Sequence, residues 1–332
     1  MLGVEIAPPD QASLGAPSIR ERLVFSVDGE EYRWEDVLVA AHASGEWAQL
    51  ESRAAEGVAC ALQAGAEGES LAEDDVSSTA SAFRYERDLL SADEMEAWLE
   101  RWDLDVDAWM AFIGRSLMRE RWSAELAETS SRFPAPADEV REAVWVDAIC
   151  SGALAEFARA LAARAATHAA LDGSSAPDPT GLEDSFSRFS QQALTPEALE
   201  HLLAAREMDW LVAQCRLLTV PDEGMAREAA LCVRDDGMPL AEVARQAGAT
   251  LEEVRVFLED TEPPLRDMLV SAGEGELLGP LSAGDGFLLV AVDAKTRPSL
   301  EDPAVRERAE SEVVERAVEQ EVINRVRWHE QL

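Results

Sequence analysis

The apolar positions of this chain alternate between short β-prone runs and long stripes at helical spacing, separated by polar stretches rich in Gly, Pro and Ser. Leu23–Val27 reads as a strand, Asp28-Gly29 as a turn and Glu30–Trp34 as the returning strand. The Asp-Gly step signals a hairpin because both turn residues need positive φ. Helical stripes follow. Val37, Leu38 and Ala41 begin one, and Leu50 to Leu62 continue in a second that Gly65, Gly68 and Ser70 break. A third spans 73–90 on Val76, Ala80, Phe83 and Leu90. Ser91 with Glu94 forms a capping box for a helix striped by Met95, Trp98, Leu99 and Trp102. Asp105 or Asp107 opens the next, which carries Trp109, Phe112, Ile113, Leu117 and Trp122.

Pro134 and Pro136 punctuate, and an Ala-rich helix is expected over 138–171. The segment from Asp172 to Gly181, with its Gly, Ser and Pro, reads as a linker. Thr195-Pro196-Glu197 starts a helix with proline where its missing N–H costs nothing. The character changes near 209. Leu211 to Val220 is β-like; Ala226, Ala229, Ala230 and Val233 mark a helix that Asp235-Asp236-Gly237 ends; Leu240, Val243 and Ala244 start another. Gly286–Val292 reads as a buried strand, and Asp302 caps a long amphipathic helix with Val305, Ala309, Val313, Ala317, Val318, Val322 and Val326 on its stripe.

The pattern therefore predicts a mainly helical α+β chain. Its divisions are a flexible tail over 1–20, an N-terminal hairpin and helical lobe over 21–133, and a helical connector over 134–208 with a linker at 172–184. A small α/β module over 209–298 and a C-terminal helix over 299–332 complete it. The helix is expected to pack its stripe on the N-terminal lobe.

Charge narrows the function. Asp plus Glu number 66 against 29 Lys plus Arg, a formal net charge of -37, and Lys295 is the only lysine. Such a surface repels a phosphate backbone, whose binding requires clustered cations, so nucleic acid is not expected as a partner. It favours solubility and could steer a basic segment. No stretch reaches the roughly 18 to 20 apolar residues of a membrane span, and Met1 to Glu5 do not begin a basic-then-apolar secretory signal. A cytoplasmic protein is the expectation.

Cys60, Cys150, Cys215 and Cys232 are scattered, as are His42, His168, His201 and His329, so no metal site and no cofactor are expected. Cys215 has no histidine nearby in sequence and reads as a core residue. Trp98, Trp102, Trp109 and Trp122 could line a peptide groove, but their helical spacing favours core packing. The acidic pairs Glu252-Glu253 and Asp235-Asp236 read as solvated faces.

The segment from about 211 to 298 resembles the parvulin (PpiC-type) peptidyl-prolyl isomerases. The likeness rests on Gly275-Glu276-Leu277-Leu278-Gly279-Pro280-Leu281, similar to the family's G-E-hydrophobic-S-x-P turn, and on Gly284-Asp285-Gly286-Phe287-Leu288-Leu289-Val290, similar to its G-[FY]-H closing strand. Gly237 with Leu240, Val243 and Ala244 resembles the helix entry G-x-x-F-x-x-[LV]-A. Pro264-Leu265 and Leu269 resemble the helix before the G-E turn, and Cys215-Arg216-Leu217-Leu218 sits where the opening strand reads S-H-I-L. Both family histidines are replaced, by Arg216 and Leu288; the cysteine or aspartate between them and the GGDLG segment have no counterpart. Leucine neither donates nor accepts a hydrogen bond, so the resemblance implies a degenerate module without catalytic residues.

The hairpin, helical block, module and last helix together resemble the SurA and PrsA chaperone layout. Phe83-Arg84, Ser91–Glu94, Trp98-Leu99 and Leu104–Trp109 resemble PpiC-related proteins of clusters that mature ribosomally synthesised, post-translationally modified peptides, the crocagin type among them. These likenesses imply a non-catalytic, chaperone-like accessory protein that binds a precursor peptide or a co-encoded maturation enzyme, at Arg216, Leu218, Leu240, Met268, Phe287 and Leu288. Arg216 could instead pair on the surface. An active isomerase with atypical residues and a structural subunit without peptide affinity are the alternatives. The oligomeric state is not legible.

Overall fold

The computed structural model describes residues 19–172, 181–284 and 286–330, so most of the expected tail and linker lies outside the described residues. The chain is mainly helical with small antiparallel sheets. It divides into two compact units, one of residues up to Phe189 together with those from Val318 onward, the other Ser190–Ala317.

The first unit starts with β1 (Leu23–Val27) and β2 (Glu30–Arg33), joined at Asp28 (φ 50°) and Gly29 (φ 98°). Both turn residues therefore take the positive φ that the Asp-Gly step called for. The helices α1 (Trp34–Ser44), α2 (Glu46–Glu67), α3 (Glu73–Glu86), α4 (Ala92–Arg101), α5 (Val106–Arg121), α6 (Leu126–Arg132), α7 (Ala137–Cys150) and α8 (Ala153–Asp172) follow. The Ser91–Glu94 capping box forms: Ser91 Oγ accepts from the Glu94 amide at 3.2 Å, and the Glu94 carboxylate accepts from the Ser91 amide at 2.7 Å. Asp105 caps α5 through the Ala108 amide at 2.7 Å.

Two expectations change. The Ala-rich helix is two helices, α7 and α8, broken at Ser151-Gly152, where Gly152 takes φ 83°. Helix α3 ends at Glu86 rather than 90, because Asp88 adopts φ 55° and Leu90 turns to solvent.

An aromatic core forms around the hairpin. Phe25 stacks on Tyr32 at 4.7 Å, Trp34 meets Trp102 edge-on at 5.5 Å, and Phe157 packs beside Trp47 at 6.5 Å. Phe83, Trp109 and Ile113 centre a second cluster, with Trp98 at its margin. Trp102 and Trp109 are buried, which makes them core residues, not groove linings. Cys60 and Cys150 are buried free thiols, and burial foremost pushes Cys150 up to about 12.

Helix α9 (Glu183–Ala193) leads into the second unit. There α10 (Pro196–Ala205) begins at Thr195, whose hydroxyl caps the Ala198 amide at 3.1 Å. The strands β3 (Val212–Val220), β4 (Leu251–Phe257), β5 (Leu277–Ala283) and β6 (Gly286–Thr296) form one antiparallel sheet in the order β4-β3-β6-β5. Between them run α11 (Glu223–Arg234), α12 (Leu240–Ala247) and α13 (Leu265–Ser271). Strand β4 was read from sequence only as a solvated acidic stretch; its Glu252 and Glu253 are exposed, while Val254 and Val256 turn inward.

Helix α14 (Pro303–Arg325) starts where Asp302 Oδ1 accepts from the Ala304 amide at 3.1 Å. Its stripe was expected on the N-terminal lobe. Its first half does otherwise: Val305, Ala309 and Val313 bury against Leu199, Leu202 and Trp210 of the second unit, whereas Val326 packs on the core of the first. What joins the C-terminal segment to the hairpin is a strand, β7 (Val326–Trp328), paired antiparallel with β1 to give the order β2-β1-β7.

Ion pairs reinforce α14 in the second unit. Arg206 binds Glu312 at 2.7 Å, Arg308 binds Asp260 at 2.7 Å, and Trp210 Nε1 donates to Glu259 at 2.7 Å. Burial raises the Glu312 carboxyl, but Arg206 and Arg316 outweigh it and leave the group below its ordinary value. A depressed carboxyl contributes stability above its unfolded value, and that stability is lost as pH falls through the folded value. Glu312→Gln is therefore expected to lower the urea midpoint at pH 7. The gap from the parent should close between about pH 5 and pH 3, as urea melts at each pH will read.

Candidate peptide-binding face

The second unit's sheet sets the family-like segments side by side. The opening strand β3 pairs along its length with the closing strand β6, from Val212↔Thr296 to Val220↔Phe287. Because side chains alternate across a strand, this register assigns each expected site residue to a face. The face toward α11 and α12 carries Leu218, Val220, Leu277 and Leu289 in one apolar cluster with Leu240, Val243 and Ala244; Phe287 and Ala291 pack against it. The opposite face, toward α13, carries Cys215, Leu278, Val290 and Val292 with Leu269; Leu217, Val254, Met268 and Leu288 lie at its margin.

The six expected site residues are thus not brought together. Leu218 and Leu240 are core residues, 0% and 3% exposed, and no ligand reaches them without displacing α12. Phe287 shares their face. Arg216 stands opposite Ala291, on that same side, and its guanidinium grips Asp293 bidentately at 2.6 and 2.9 Å. Of the two alternatives for Arg216, the structure shows the partly exposed pair within the sheet. Met268 and Leu288 alone share the α13 face.

This register also separates the two positions at which the sequence lacks the family histidines. Leu288 pairs with Thr219 and Leu281, and its side chain belongs to an apolar cluster; Arg216 is on the other side of the sheet. On the α13 face Cys215 is buried, its thiol raised first by burial and then by Asp293, and Glu252, opposite Leu217, is exposed. Around Leu288 the arrangement supplies apolar contact. Among the described residues no cluster of His, Cys, Asp and Glu could hold a metal ion.

The face does offer a half-buried apolar strip, Leu217, Val254, Met268 and Leu288, which α13 covers incompletely because it is only seven residues long. Sequence reasoning found Met268 and Leu288 but missed Leu217 and Val254. The signal was present in Glu253-Val254-Arg255-Val256, an alternation of polar and β-branched residues at period two.

Three glycines fix the strip's edge. Gly275 needs only its positive φ of 82°. Gly279 combines φ 97° with close approach: a Cβ there would lie 2.6 Å from the Leu288 carbonyl oxygen. Gly286 has an ordinary φ, yet a Cβ would lie 2.7 Å from the Val220 carbonyl oxygen.

No protein-family model matches the chain, and no curated protein matches it significantly. Among solved structures it is similar to PrsA from Bacillus subtilis, over 92% of both chains at 10% identity and a TM-score of 0.23. It is also similar to a SurA-like chaperone of Campylobacter jejuni, over 91% of both chains at 10% identity and a TM-score of 0.19. At these scores the geometry of each unit stands on its own contacts. No helix of the described residues is long and apolar enough to cross a membrane.

Gly279→Ala and Gly286→Ala are each expected to destabilise the second unit by about 1–3 kcal/mol, the usual range for backbone strain. Gly275→Ala should be the mildest of the three, since nothing lies near its added methyl. Chemical denaturation of the three variants checks this order.

Proposed function

We propose that the chain is a non-catalytic, chaperone-like accessory protein that binds a peptide or a partner enzyme while a ribosomally synthesised peptide is modified. The setting that goes with this reading is the cytoplasm, where such a peptide is made. The observation that carries the binding half is the strip of Leu217, Val254, Met268 and Leu288, an apolar surface left at the margin of a formed core. The non-catalytic half is supported by Arg216 and Leu288, which stand on opposite faces where the resemblance would require a shared polar cluster. The peptide-maturation setting rests on the sequence likeness alone.

An extended apolar segment on this strip would gain roughly 25 cal/mol for each Å² removed from water. That gain is offset by the cost of ordering the segment, which points to micromolar rather than tighter binding. The acidic surface adds an on-rate advantage for a basic segment at low salt.

Two measurements test the reading. In a protease-coupled proline assay the protein should not accelerate isomerisation above the uncatalysed rate; a rate lost on Leu288→Gln would support the active-isomerase alternative. In calorimetry the co-encoded precursor peptide or enzyme should bind, and Leu288→Gln or Met268→Gln should weaken binding about tenfold, a change of ~1.4 kcal/mol. Absence of binding by every co-encoded candidate at about 100 μM, where contacts of roughly -5 kcal/mol register, would leave the structural-subunit reading.

A further inference from the structure

The first unit has an open sheet edge of its own. Strand β7 is the outer strand of the order β2-β1-β7. The Arg327↔Ser26 pair and the His329 amide bonded to the Val24 carbonyl at 2.9 Å set the alternation of the ladder. In an antiparallel ladder, that alternation turns the backbone groups of Arg327 toward β1 and those of Trp328 away from it. An unpaired outer edge is a template for a further strand.

The side chains on this edge are asymmetric. Trp328, 37% exposed, meets Phe25 at a tilt of 59°, with ring centroids 5.3 Å apart. It also lines a cavity of about 500 Å³ with Arg159, Glu319, Val322 and Glu330. Arg327 points to the opposite face of the strand and is exposed; among the described residues its guanidinium has no ion pair or hydrogen bond.

The charge here departs from the rest of the chain. Glu330 is held by both Arg22, at 3.3 Å, and Arg101, at 3.0 Å, and Arg325 pairs with Asp28 and Glu321. With Arg159, Arg327 and the Arg33–Glu31 pair of β2, six guanidiniums balance Asp28, Glu30, Glu31, Glu319, Glu321 and Glu330, in a chain where acids outnumber bases 66 to 29. Since exposed charges are screened beyond about 8 Å at physiological salt, a segment docking here meets this local balance and the unpaired Arg327, not the net charge. A second copy of the chain fits poorly. A twofold pairing centred on β7 would set Arg327 against its own image, and like charges directly opposite destabilise a ladder.

We propose that the outer edge of β7 accepts an extended peptide as a fourth strand, with an acidic side chain beside Arg327 and apolar side chains on the Trp328 face, over the cavity. The alternation is dictated by the strand: one residue toward Arg327, its neighbours toward Trp328. This site is separate from the strip on the second unit and does not depend on it.

The test uses the full chain and a fluorescein-labelled, acetylated seven-residue peptide of alternating Val and Glu. One control peptide has Lys in place of Glu, and another is N-methylated at alternate residues. In anisotropy titrations at physiological salt the Val-Glu peptide should bind in the micromolar range, the Val-Lys peptide at least tenfold more weakly, and the N-methylated peptide not measurably. Arg327→Glu should reverse the preference between the first two, and Trp328→Ala should weaken both. Leu288→Gln should change nothing, which separates this site from the proposed strip. Circular dichroism confirms that each variant folds; if Trp328→Ala does not, the exposed Arg327→Glu carries the test. Equal binding of the Val-Lys or N-methylated peptide, an unchanged preference in Arg327→Glu, or no binding up to about 1 mM, some -4 kcal/mol, overturns the proposal. So does sedimentation showing a dimer that Arg327→Glu dissociates.

Discussion

The antiparallel pairing of β3 with β6 is the constraint on which the second unit rests. These strands are distant in sequence, so joining them fixes a long loop before any packing is gained. Once joined, they form the centre of the sheet, with β4 and β5 outside. The register then decides which side chains face α11 and α12 and which face α13. A slip of one residue would exchange the two faces and expose both apolar clusters. Gly286, which brings its backbone against the Val220 carbonyl, sits where that register begins.

From this pairing follows the chemical character of the unit. Apolar side chains fill much of both faces, and the only charged residue of β3, Arg216, is paired with Asp293 on the neighbouring central strand. A leucine at 288 suits an apolar cluster and cannot take part in proton transfer. Around Leu288 the sheet presents apolar surface.

The charge of the molecule is organised, not merely spread. Arginines are gathered where backbone elements distant in sequence meet. Arg206 and Arg308 fasten α14 to the segment around Glu259 and Asp260, and Arg22 and Arg101 fasten Glu330 beside Trp102. Each such pair at the surface is worth little alone. Gathered into networks around the buried Trp210 and Trp102, they fix where the C-terminal helix and strand lie. The acidic remainder of the surface opposes association with like-charged chains.

The sequence by itself determined what neighbouring residues decide. The Asp28-Gly29 turn, the Ser91–Glu94 capping box, the caps at Asp105, Thr195 and Asp302 and the main helical stripes were legible because each depends on interactions within a turn or two of chain. Half of the candidate strip, Met268 and Leu288, was legible through the motif they belong to. Only the tertiary structure decided the rest. Strand β4 carries an exposed glutamate on each face and needs β3 beside it to be a strand, and β7 is three residues that gain order only by pairing with β1. The opposite orientation of Arg216 and Leu288, the inward burial of Leu218 and Leu240, and the packing of α14 on Leu199, Leu202 and Trp210 all depend on partners far away in sequence. Periodicity states that a face is apolar; which surface buries it is set by the pairing of distant strands.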